Sequence, residues 1–144
     1  MKIALGSDHG GLRLKSAVAA HLTALGHEIE DFGTHGPGSV DYPEFARPVA
    51  LAVAAGTFER GVLVCGTGQG VAMTANTVPG VRAAVVADTF SASMATLHND
   101  ARVLCLGERV VGTGLALACI DAWLNAKFEG GRHARRVAKI EGGA

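Results

Sequence analysis

The chain has 144 residues, the length of one ordinary domain, and 49% of them are hydrophobic, enough to fill a single core. Lys plus Arg and Asp plus Glu balance at 13 each, so no overall field favours a nucleic acid or an acidic membrane surface, and any anion site is local. No apolar run approaches the ~20 residues that cross a bilayer, and the opening residues are too short an apolar stretch for a signal peptide. Three cysteines, Cys65, Cys105 and Cys119, form no C-x-x-C pair, which fits reduced thiols and a cytoplasmic setting. The 20 glycines against 5% aromatic residues suit close backbone approaches more than a surface for stacking bases.

Residues 2–6 read as a first strand. Leu14, Ala17, Val18, His21, Leu22 and Leu25 then recur at three and four, one face of a helix that Gly26 stops. Residues 28–32 are a second strand, followed by a loop over 33–39 and a helix opened by Asp41 and Pro43. Pro48 lies inside that pattern and is expected to kink the helix or delay its regular part. Residues 61–64 are a third strand, apolar throughout as buried parallel strands are. Residues 82–86 and 102–106 supply the fourth and fifth, with helices over 70–76, 89–97, 113–125 and 132–140. The chain contains no repeat, low-complexity tract or linker. Such alternation predicts a single α/β domain, a three-layer αβα sandwich around a five-stranded parallel, Rossmann-like sheet. Ligands of such sheets bind outside the carboxyl ends of the strands, so the loops after the strands are where chemistry is sought.

The first of these loops is Gly6-Ser7-Asp8-His9-Gly10-Gly11. A carboxylate beside an imidazole at a helix start can orient a sugar hydroxyl and receive an anion, or Asp8 can simply cap the helix with His9 in solvent. The loop after the third strand is Cys65-Gly66-Thr67-Gly68-Gln69-Gly70. Glycines at alternate positions leave amide groups free to face a ligand, and the helix that begins there adds its positive end. That field would favour the Cys65 thiolate and stabilise a developing oxyanion. The plain alternative is a small core cysteine followed by a turn.

His98-Asn99 follows a helix: imidazole beside carboxamide suits proton transfer to a sugar oxygen, and equally suits a helix C-terminus. Arg132 and Arg136 are four apart, so both can grip one phosphate from a helix, or belong to a solvated basic face. Arg135 and Lys139 read as that face, and His21, His27 and His35 as surface groups. Several familiar chemistries are excluded by spacing. The glycines read G-x-G-x-G and follow the third strand, unlike a dinucleotide fingerprint; no Gly-Lys-Ser/Thr triplet exists; Val71 stands where a cysteine phosphatase has arginine; and G-x-S-x-G is missing. No Cys/His set has metal-ligand spacing, so neither a metal nor another cofactor is expected.

Taken together, Gly-Ser-Asp-His-Gly-Gly at 6–11, Asp-Tyr-Pro at 41–43, Cys-Gly-Thr-Gly-x-Gly at 65–70, Ala-Asn-x-Val-Pro-Gly-x-Arg-Ala at 75–83, His-Asn at 98–99, Gly-Glu-Arg-Val-Val-Gly at 107–112 and Glu-Gly-Gly-Arg-His-x-x-Arg at 129–136 resemble the type B ribose 5-phosphate isomerases. That family also includes galactose 6-phosphate isomerase subunits and enzymes for allose and tetrulose phosphates. The resemblance implies an aldose–ketose isomerase, dimeric or tetrameric, with its site between subunits and a sugar phosphate as substrate. Cys65 then matches the base that moves a proton between C1 and C2 through an enediolate. Gly66, Thr67, Gly68 and Gly70 match its anion hole, and His98 the group that opens the furanose ring. Asp8, Tyr42 and Asn99 would bind sugar oxygens, while His9, Arg109, Arg132, His133 and Arg136 would surround the phosphate. One branch of the family places a glutamate base where this chain has Val71, which favours Cys65.

Geometry adds one expectation. Nine helical residues over 89–97 carry the chain roughly 13 Å away from the carboxyl edge. His98 and Asn99 are then placed at the opposite edge, and a two-fold partner would be needed to bring them to Cys65. The competing reading is a non-catalytic module that binds sugar phosphates, for which a thiol at the loop mouth has no use. A redox sensor built on Cys65 would lack a nearby resolving cysteine.

Overall fold

In the computed structural model, residues 1–142 are described. They form β1 (Lys2–Ser7), a 3-10 turn (His9–Gly11), α1 (Leu12–Ala24), β2 (Glu28–Asp31), α2 (Pro43–Ala54), β3 (Arg60–Cys65), α3 (Gln69–Ala75), β4 (Ala83–Val85), α4 (Thr89–Leu97), β5 (Val103–Gly107), α5 (Thr113–Asn125) and α6 (Arg132–Ile140). The five strands make one parallel sheet in the order β2-β1-β3-β5-β4. The α/β sandwich expected from the alternation is therefore the fold. Strand order reverses between β1 and β3, because β1 leads outward to β2 while β3 leads the other way. No helix among the described residues is long and apolar enough to cross a membrane.

Period-two alternation sorts the strand residues onto two faces. Ile3, Leu5, Val62, Val64, Leu104 and Leu106 pack under α1, α4 and α5, with Leu14, Val18, Leu22, Ala92, Ala95, Ile120 and Trp123 completing that layer. Ala4, Leu63, Cys65, Val103 and Cys105 face α2 and α3, whose Val49, Val53, Val71 and Ala75 close the other. Central strands β3 and β5 are buried nearly end to end, as parallel strands covered on both faces must be. Trp123 lies in the first layer with its indole N–H donating to the Ala101 carbonyl at 2.8 Å, so its one polar group is satisfied.

Some local expectations need correction. α2 runs unbroken from Pro43 with Pro48 inside it, so the regular part is not delayed. Leu25 is solvent-exposed beyond the end of α1. The fourth strand is only Ala83–Val85; Arg82 sits before it at φ 49°, its guanidinium bonded to Asp100 and Glu141 at 2.9 Å each. His21 is half-buried and paired with Asp121 at 2.7 Å across the α1–α5 contact. Sequence periodicity also misses Lys15, whose side chain is only 2% exposed. Its ammonium donates to Asp31 at 2.8 Å and to the Thr34 carbonyl, tying α1 to β2 and the loop behind it.

A buried ammonium with two acceptors tests this packing directly. Lys15→Met keeps the length of the side chain and removes its charge, leaving Asp31 and the Thr34 carbonyl without their donor. Breaking a wholly buried pair costs about 3–5 kcal/mol; Asp31 retains some water contact, so about 2 kcal/mol is expected. The denaturant midpoint measures it, and a change below about 0.5 kcal/mol would show that the bridge does not hold α1 in place.

Candidate active site

At the carboxyl edge the loops after β1, β3 and β5 meet. Asp8 caps the 3-10 turn, accepting the Gly10 N–H at 2.9 Å, so the capping role foreseen for it is real. Its own N–H reaches across to the Val64 carbonyl at 3.3 Å, which fastens the first loop to the end of β3. His9 is exposed and its Nδ1 accepts the Val40 N–H at 3.2 Å. Asp8, His9, Val40, Asp41, Tyr42, Pro43 and Glu44 line a cleft of about 560 Å3.

Cys65 is the last residue of β3 and is 5% exposed, more enclosed than a thiol at an open mouth. The Gly68 N–H donates to its sulfur at 3.1 Å. That contact requires the backbone to double back within three residues. Gly68 does so at φ +82°, a conformation that side chains with a Cβ rarely adopt, and it forms the N-cap of α3. Thr67 is exposed, and its hydroxyl accepts the Gln69 N–H at 3.3 Å. A methyl placed on Gly70 would lie 2.6 Å from Tyr42 Cζ, so the phenol rests directly on the start of α3. The Arg109 N–H donates to the Gly66 carbonyl at 3.0 Å, and Glu108 N–H to that of Cys65 at 2.9 Å, which clamps the loop to the turn after β5. Cys105 and Cys119 are wholly buried, and burial pushes both thiols up from their ordinary range; they are packing residues.

The remaining candidates lie elsewhere. His98 is the C-cap of α4, and the chain passes from it through Asn99 to Arg102, whose carbonyl accepts the Gly61 N–H at 3.0 Å where β3 and β5 begin. Cys65 pairs with Gly107 where those strands end. Six residues of strand, roughly 3.3 Å each, separate the two places. With His98 at this amino edge are His133, stacked on it with ring centroids 4.2 Å apart and an interplanar angle of 9°, and the exposed Arg132 and Arg136 of α6. Burial, then the neighbouring His98 and Arg132, hold His133 below the ordinary imidazole value.

One chain thus brings together Asp8, His9, Tyr42, Gly66, Thr67, Gly68, Gly70, Arg109 and Cys65 at one edge, and His98, Asn99, Arg132, His133 and Arg136 at the other. Sequence reasoning missed Glu129, which stands between the two imidazoles at 3.7 Å from each. Its place four residues before His133 and ahead of two glycines is the signal that was available.

Residues 3–140 match the model of the Ribose/Galactose Isomerase family. Ribose-5-phosphate isomerase B of Escherichia coli is 49% identical over 139 residues, covering 96% of this chain and 93% of that protein. The structure of ribose-5-phosphate isomerase B from Clostridium thermocellum, 56% identical, superposes with a TM-score of 0.98 over 99% of this chain and 96% of that one. A second, from Mycoplasma genitalium with bound ribulose-5-phosphate, is 42% identical with a TM-score of 0.94, covering 97% of this chain and 93% of the other. The chain belongs to the Ribose/Galactose Isomerase family.

Proposed function

We propose that the chain interconverts ribose 5-phosphate and ribulose 5-phosphate through a cis-enediolate, with Cys65 as the base. The observation that carries this reading is the Cys65 sulfur held under the Gly68 amide, inside a glycine loop at a helix start. Moving a proton between adjacent carbons needs a base beside the substrate and donors aimed at the oxygen where charge develops. The thiolate removes the C2 proton of the open-chain aldose, and the electron pair shifts through C1 to its oxygen; the C2 hydroxyl passes its proton to that oxygen, and C1 takes back the proton from the thiol, leaving the ketose carbonyl at C2 and a hydroxyl at C1. Amides of Gly66, Gly68 and Gly70 and the Thr67 hydroxyl stabilise the enediolate oxygen. Asp8, Tyr42 and Asn99 bind sugar oxygens, and His9, Arg109, Arg132, His133 and Arg136 hold the phosphate. His98 opens the furanose ring. Nothing in this sequence of steps requires a nucleotide or a metal.

A second copy of the chain completes the site in this reading. The amino-edge group lies a strand's length from Cys65, and a two-fold partner packed antiparallel would bring its own His98 and arginines to this Cys65, building two sites at once. Large apolar side chains left in solvent support such packing: Phe90 is 72% exposed and Val110 58%, each just beyond a strand end at the carboxyl edge.

Cys65→Ala is expected to abolish isomerisation while sugar-phosphate binding by calorimetry stays near wild type, because the base acts on the transition state. A turnover of one tenth or more, under roughly 1.4 kcal/mol of barrier, would sink the assignment. Arg136→Ala should raise KM for the phosphorylated sugar far more than it lowers kcat, as a remote grip is mostly uniform binding. Equal affinity of the wild type for phosphorylated and free sugar would remove that role. The shared site is tested by refolding Cys65→Ala and His98→Ala chains together. About half the dimers would be mixed, each with one intact site, so activity should recover to about a quarter of wild type. Mixed dimers verified by mass and still inactive would refute the sharing.

A further inference from the structure

Glu129 has no part in the steps above, yet the amino-edge group is built around it. Its N–H donates to the Leu97 carbonyl at 3.0 Å, which fixes its backbone beside the end of α4. Gly130 and Gly131, at φ +68° and +55°, then turn the chain into α6, so that Glu129 and His133 both face His98. The carboxylate divides between the two rings: Oε1 is 3.7 Å from His98 Nε2, and Oε2 is 3.7 Å from His133 Nε2. His133 Nε2 is buried and makes no hydrogen bond.

Two histidines and a carboxylate this close invite comparison with a metal site. The stack argues against one. Nearly parallel rings direct their Nε2 lone pairs side by side, whereas metal ligands must converge on one point about 2.1 Å from each donor. The same arrangement suits the handling of a proton. Two imidazolium ions about 4 Å apart would repel by about 4 kcal/mol at the effective dielectric of a protein surface, and a carboxylate 3.7 Å from each nitrogen offsets that repulsion and favours a proton on the stack. Of the two rings, His133 is disfavoured as its holder by burial and by Arg132 and Arg136 on its own helix, while His98 has 39% of its side chain in solvent. His98 is thus the ring of the pair open to a ligand, with the Glu129 carboxylate beside it.

We propose that Glu129 is a positioning residue that holds the His98 ring, and the proton it donates, in place for opening the sugar. The inference rests on the reading that His98 opens the furanose. In that step the bond between C1 and the ring oxygen breaks, its electron pair going to the ring oxygen, which takes the proton of His98. The C1 hydroxyl loses its proton to water and becomes the aldehyde.

Substrates that need no opening separate this role from a structural one. A tetrose phosphorylated on its terminal oxygen has no hydroxyl left to close a five-membered ring, so D-erythrose 4-phosphate reaches the base already open. Glu129→Gln keeps the main-chain bond to Leu97 and is expected to lower the ratio of kcat for ribose 5-phosphate to that for the tetrose phosphate at least tenfold. KM for ribose 5-phosphate should change less than threefold. If tetrose turnover is too slow to measure, deuterium wash-in from heavy water at C1 of open-chain ribulose 5-phosphate supplies the ring-independent rate, and both readings report on the folded protein. An unchanged ratio in Glu129→Gln, beside a fallen ratio in His98→Ala, would overturn the positioning role alone. A ratio unchanged in His98→Ala as well would overturn the ring-opening reading on which it depends.

Discussion

Every strand of a parallel sheet ends on the same edge, and every helix that joins two such strands must bring the chain back to the other. That constraint governs where chemistry can be assembled in this protein. The residues that immediately follow β1, β3 and β5 are gathered without further effort, because hydrogen bonding in register places their exits side by side. Residues at the ends of helices are delivered to the opposite rim. His98 ends α4, and His133 is reached through the turn that Glu129 begins beside Leu97, so imidazoles and arginines collect where no strand exit is available. A single copy carries two groups of candidate residues of unlike chemistry, one rich in backbone donors and one rich in titratable side chains.

Within the carboxyl edge, the decisive device is a backbone one. The Gly68 amide can reach the Cys65 sulfur only because a left-handed residue reverses the chain at the start of α3. The loop is flanked by Tyr42 on one side and the turn carrying Arg109 on the other. A donor fixed by main-chain geometry needs no reorganisation when charge develops, which is where such donors differ from water.

Much of this was legible in the sequence, for reasons that can be named. The β/α alternation, the apolar run of β3 and the glycine spacing at 66, 68 and 70 each follow from local rules, and the helix length alone placed His98 at the rim away from Cys65. What was not legible depends on contacts distant along the chain. Lys15 is a helix residue of ordinary type whose burial exists only because Asp31 and Thr34 lie over it. Glu129 gains significance only when α6 folds His133 onto His98. Arg82 looked like the first residue of a strand and is instead a clamp, because Asp100 and Glu141 come to it from 18 and 59 residues away. Pro48 was expected to disturb α2, yet the helix continues through it.

The way α6 is attached has a consequence for motion. His133 is the one buried residue of the helix; the rest of its length contributes nothing to either core layer. Its two ends are fastened by polar contacts, Glu129 to Leu97 before it and Glu141 to Arg82 and Gly80 after it, beside the stack of His133 on His98. A segment held in this manner opens at a free energy set by a few exposed hydrogen bonds and not by the unfolding of the sheet. Its amide protons should therefore exchange with solvent through local opening, faster than those of β3 and β5, while the arginines it carries still travel as one rigid unit. In the proposed reading, ordering that unit around a phosphate would draw on binding energy, and the helix would work as a compliant arm whose stiffness is set by its occupant.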